Sequence, residues 1–137
     1  MSKLIPAAIF ALTFAGCGGR HLSPERVEKQ LNHQVEDLLD DVDATPAQRA
    51  RTAELEKQVL TDVIPLMKQG TEARATLVEQ WKQPVPDTAK VHALIDSELD
   101  SVRAFTHKLA DAAIAFHQLL TPEQRQVVTK RLDRNRQ

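Results

Sequence analysis

Thr45-Pro46-Ala47-Gln48-Arg49 returns 76 residues later as Thr121-Pro122-Glu123-Gln124-Arg125. Each copy spells out a helix start. Thr is the N-cap residue, whose hydroxyl accepts from a backbone N–H that would otherwise be orphaned. Pro stands at the first helical position, where its missing donor costs nothing. Gln falls three residues after the cap, where its side chain can reach back to the cap's backbone in a capping box. Losing such a cap costs about 1 kcal/mol. Capping explains each copy by itself; the repetition, with one copy at each end of a helical stretch, asks for a further reason.

Outward from these two points the chain reads as all-α. Ser23-Pro24 opens a first helix with the same cap-plus-proline chemistry. Val27, Leu31, Val35, Leu38, Leu39 and Val42 give that helix one apolar stripe. Thr45-Pro46 opens the second, in which Ala47, Ala50, Leu55, Val59, Val63, Leu66 and Met67 form the expected inner face. Pro65 inside this run is expected to kink or break it, and Gly70 is a further weak point. Trp81, after Ala73, Leu77 and Val78, is expected to pack, with an exposed contact as the alternative. Gln83-Pro84-Val85-Pro86 forces a turn, and Asp87 caps the next helix. In that third helix Val102, Phe105, Leu109, Ala112, Phe116 and Leu119 repeat by threes and fours, and Val91, Leu94, Ile95 and Leu99 extend the stripe with a shift. Thr121-Pro122 starts a last helix with Val127, Val128 and Leu132 expected inward and a basic tail of Arg125, Lys130, Arg131, Arg134 and Arg136. The expected architecture is a bent antiparallel helical hairpin with short flanking helices.

Residues 1–17 read as an export signal. Met1-Ser2-Lys3 is a short positive start, and Leu4 to Ala15 is an apolar run too short to span a bilayer as a helix. It ends in Phe14-Ala15-Gly16-Cys17, which resembles a bacterial lipobox with Phe14 where Leu is usual. Cys17 is the only cysteine, so no disulfide can form within one chain, and lipidation gives that thiol a purpose. Residues 18–22 then form a tether, and residues 23–137 a single helical domain. Gly18 follows the cysteine, not the Asp associated with inner-membrane retention, so the expected location is the periplasmic face of the outer membrane.

The formal net charge is −1, and loss of Lys3 with the signal would make it −2. A near-neutral chain has no general attraction for nucleic acid. Aromatics are scarce, so Leu, Val, Ile and Ala must make helix seams, not a thick core. A homodimer is therefore expected to complete the burial of so thin a fold. No nucleophile–base set, phosphate loop or zinc-protease motif is present, and no enzyme is expected.

With its doubled motif the chain resembles the Spy/CpxP family of small periplasmic proteins, whose hallmark is LTxxQ. Leu120-Thr121-Pro122-Glu123-Gln124-Arg125 matches in full, while the first copy has Ala44 where Leu is typical, followed by Thr45, Gln48 and Arg49. The resemblance implies cradle-shaped homodimers without catalysis. It also implies ATP-independent binding of unfolded or misfolded envelope proteins on a concave surface, or a part in envelope-stress signalling. Related members bind or sense heavy metals through ligands on a first and a third helix. Here His33–Asp37 and His107–Asp111 fall on those helices at a spacing that puts imidazole and carboxylate on one face, as does His92–Asp96. Such donors suit a divalent transition metal, although charged pairs on solvated faces are the plainer reading. No other cofactor is expected.

Overall fold

The computed structural model describes residues 23–134, which form four helices and, among the described residues, no strand. They are α1 (Pro24–Asp41), α2 (Pro46–Trp81), α3 (Thr88–Leu119) and α4 (Pro122–Arg134). The export signal, Cys17 and the tether lie outside the described residues.

Every helix start uses the local chemistry read from its cap. The side chain of Ser23 accepts from the Arg26 N–H at 3.4 Å, Thr45 from Gln48 at 3.2 Å, Asp87 from Lys90 at 3.0 Å and Thr121 from Gln124 at 3.3 Å. In α1, a hydrogen bond from its own backbone N–H and then one from Ser23 hold the Glu25 carboxyl below its usual range. The end of α1 is a Schellman turn without glycine. The Ala44 N–H donates to the Leu39 carbonyl at 2.9 Å and the Asp43 N–H to the Asp40 carbonyl at 3.1 Å. Asp43 takes the left-handed conformation this requires, with φ 48°; Asp is among the few non-glycine residues that visit it.

α2 and α3 form the antiparallel hairpin. Lys108 on α3 reaches Asp62 on α2 at 2.6 Å, and Gln69 on α2 donates to Glu98 at 2.9 Å and to Ser101 at 2.8 Å. Pro65 does not end α2, which runs helical from Pro46 to Trp81. Only one backbone donor is lost there, and buried Val63 beside it anchors the helix against that loss. Gly70 is likewise inside the helix.

Burial concentrates in two places. Leu39, Val42 and Leu120 lie at or beside the ends of α1 and α3, and Thr52, Val63, Ala73 and Phe105 lie along the hairpin helices. Between residues 74 and 104 no residue is buried. Several sequence expectations change there. Trp81 does not pack and is 85% exposed, at the end of α2 beside the proline turn. Ile95 and Leu99 face out, and Glu98 and Ser101 take the inner positions opposite Gln69. Ala47 and Ala50 are exposed, and in α4 Val127 and Leu132 are exposed, leaving Val128 half-buried. A two-helix layer with short arms has no second layer to receive these side chains.

Candidate functional site

The two motif copies meet. In each, the Gln Oε1 accepts from the N–H of its own cap residue, Thr45 for Gln48 and Thr121 for Gln124, both at 2.9 Å. That orientation turns each carboxamide nitrogen outward. Gln48 Nε2 donates to the Leu119 carbonyl at 2.7 Å and to Gln124 Oε1 at 2.9 Å. Gln124 Nε2 donates to the Val42 carbonyl at 3.0 Å and to Gln48 Oε1 at 3.1 Å. Each glutamine therefore starts its own helix, ties down the helix end that precedes the other copy, and pairs with its counterpart. Both donors and the acceptor of each carboxamide are in use, which is what a half-buried polar group requires.

The arginines that close the motifs extend this junction. Arg49 Nε donates to the Ala44 carbonyl at 3.3 Å, and its two terminal nitrogens reach Glu36 at 3.0 Å and Asp40 at 2.7 Å on α1. Arg125 Nε donates to the His117 carbonyl at 3.0 Å, while Arg131 pairs with Asp41. Leu120, the motif's leucine, is buried, and Ala44 in the equivalent place is half-buried. Thr45, Pro122 and the rest of the repeat serve the scaffold.

A separate groove of about 390 Å³ runs between α2 and α3. Leu55 and Val59 on one side and Phe105, Leu109, Ala112 and Ala115 on the other make its apolar surface. Gln58, the Asp62–Lys108 pair and Asp111 also line it. The groove exists because α3 offers alanines where α2 offers Leu55 and Val59. Small residues facing branched ones leave space that the hairpin cannot close.

The described histidines do not gather with acids into one site. His33 Nδ1 lies 3.6 Å from Asp37 Oδ1 on the exposed face of α1. His107 and Asp111 are exposed on α3, and neither that pair nor His92–Asp96 closes to ion-pair distance. Among the described residues, no group of three or more His, Cys, Asp or Glu is placed to hold a metal ion. The described donors of one chain, as arranged, do not fit a chelated metal. His117 is exposed, and its carbonyl, not its imidazole, serves the junction.

Sequence reasoning missed the Gln48–Gln124 contact and the groove. The signal for the first was available in the identical glutamine at the same place in both copies. The groove's signal is fainter: the Ala112-Ala113 and Ala115 run beside large apolar residues.

A model of the family described as heavy-metal resistance matches residues 4–127. No curated protein and no solved structure matches the chain. No described helix is long and apolar enough to cross a membrane.

Proposed function

The chain belongs to the heavy-metal resistance family, which falls in the Spy/CpxP-like helical group, and from that premise we propose that it is an ATP-independent chaperone of the bacterial envelope. In this reading it is exported, anchored through lipid on Cys17 at the periplasmic face of the outer membrane, and assembled as a homodimer. It holds envelope proteins that unfold under stress, heavy-metal stress included, and performs no catalysis.

The observation that carries the reading is the α2–α3 groove. Its surface is mainly apolar, and charged side chains of both signs line it at Asp62, Lys108 and Asp111. An exposed segment of an unfolded client can be attracted by charge and then held by shallow apolar contact. Shallow contact is weak, so the client can be released without an energy source. The test is suppression of aggregation of a denatured client by the domain at stoichiometric amounts, run without metal and with each of several divalent metals.

A second reading, direct metal binding, rests on the family's description. Since one chain does not gather three donors among its described residues, this reading needs donors from a second copy or from the client. Calorimetric titration with divalent metals decides it: micromolar binding lost in His33→Ala or His107→Ala supports it.

A further inference from the structure

Glu56 lies on α2 where α1 packs across it, and its Oε1 is buried with no hydrogen-bond partner among the described residues. On α1, Glu36 and Glu28 are near enough for their negative charge to act on it. The nearby Arg49 guanidinium is already bonded to Glu36 and Asp40. The register set by the Asp62–Lys108 pair brings α3 level with Glu56 along Ala112–Phe116, an uncharged stretch flanked by Asp111 and His117. On α4, Arg131 is engaged with Asp41. One oxygen of the half-buried Glu56 carboxyl is therefore shut off from water beside like charge, and Arg49 and Arg131 are bonded to other acids; Arg26 and Lys29 on α1 and Lys57 on α2 make no ion pair with it.

α1 is built to respond. Its single buried residue is Leu39, close to the Schellman turn, and that end is further held by its buried cap residue Val42, whose carbonyl accepts from Gln124, and by the Arg49 and Arg131 pairs. The half of α1 that carries Glu28 has no buried residue.

We propose that the α1–α2 contact is an acid-closed clasp, in which α1 lies firmly against α2 when Glu56 is protonated and loosens from it when Glu56 is ionised. Burial first, then the charges of Glu36 and Glu28, raise the Glu56 carboxyl above its usual range. The sign follows by linkage. A carboxyl raised in the docked state binds its proton more tightly there than in the free state, so docking takes up a proton. Docking strengthens as pH falls through the docked-state value, and the electrostatic cost is complete above it. The neutral carboxyl also gains an O–H that can donate to a nearby carboxylate. The clasp adjoins Leu55 at the groove, but it does not depend on what the groove holds.

The test measures the distance between α1 and α2 directly. Spin labels are placed at the exposed positions Gln30→Cys and Thr61→Cys in a Cys17→Ser background, and pulsed electron resonance is recorded from pH 8 to pH 5. The expected result is a distance distribution that narrows and shortens as pH falls, and that in Glu56→Gln is narrow and short at every pH. Circular dichroism of both proteins confirms that the helices are intact. A wild-type distribution independent of pH overturns the clasp. So does a Glu56→Gln protein that still changes with pH, or one that stays broad throughout.

Discussion

Gln48 and Gln124, 76 residues apart in sequence, hydrogen-bond to each other through both carboxamides, at 2.9 Å and 3.1 Å. The contact makes the repeated motif a single object. Each copy caps a helix locally, and together they close the chain on itself at the point where α1, α2, α3 and α4 turn. Because every donor and acceptor in the pair is committed, removing one carboxamide strands partners on the other.

Gln48→Ala and Gln124→Ala should each lower stability by about 1–3 kcal/mol, the cost of leaving half-buried polar groups unpaired. The double variant should lose less than the sum, with a coupling of about 1 kcal/mol or more, because the second change removes groups already stranded by the first. Urea unfolding of the four proteins measures this. Strict additivity would mean the two copies act as independent caps.

Gly70→Ala should stabilise the protein by about 1 kcal/mol, the difference between alanine and glycine inside a helix. Room exists, since an added Cβ would meet its nearest neighbour, Glu98 Oε2, at 3.8 Å, an ordinary contact. A lower melting temperature would show that glycine is needed there for bending.

Arg49→Lys should weaken the hold of α1. Lysine cannot span Glu36 and Asp40 with separate nitrogens while also donating to the Ala44 carbonyl. The acids are exposed, so the loss should be modest, about 0.5–1 kcal/mol, and smaller at high salt. Thermal melts at low and high salt give the comparison.

Trp81 is the only tryptophan in the chain, and it is 85% exposed. Its fluorescence should therefore report any surface that covers the hairpin tip. Dilute protein should emit as a solvated indole. In the homodimer reading, emission should move to shorter wavelength as protein concentration rises if the tip is part of the interface, and sedimentation should show mass doubling over the same range.

The parts of the fold legible in sequence were those set by local chemistry. Ser23, Thr45, Asp87 and Thr121 announced their helices because a cap is a matter of a few neighbouring residues. The end of α1 was not legible, because Asp43 occupies a left-handed position usually marked by glycine. Pro65 was legible as a disturbance, but whether α2 survives it depends on tertiary anchoring such as Val63. Apolar periodicity placed Val63, Phe105 and Leu109 on inner faces. It misplaced Trp81, Leu99 and Leu132, because periodicity names a face without saying whether anything lies opposite. The groove was illegible for the same reason: Ala112 and Ala115 define space only once Leu55 and Val59 are set against them. The histidine pairs were legible as faces, and that they do not gather into one site was not.

The central claim is that the α2–α3 groove holds exposed client segments while the doubled motif holds the scaffold. The most direct measurement is aggregation of a denatured client, followed by light scattering, with the wild-type domain and with Ala112→Phe, whose side chain fills the groove. The account predicts suppression by the wild type at stoichiometric amounts, and its loss in Ala112→Phe with helical content and melting temperature retained. Failure of the wild type to suppress aggregation, with or without divalent metal, or full activity in Ala112→Phe, would contradict it.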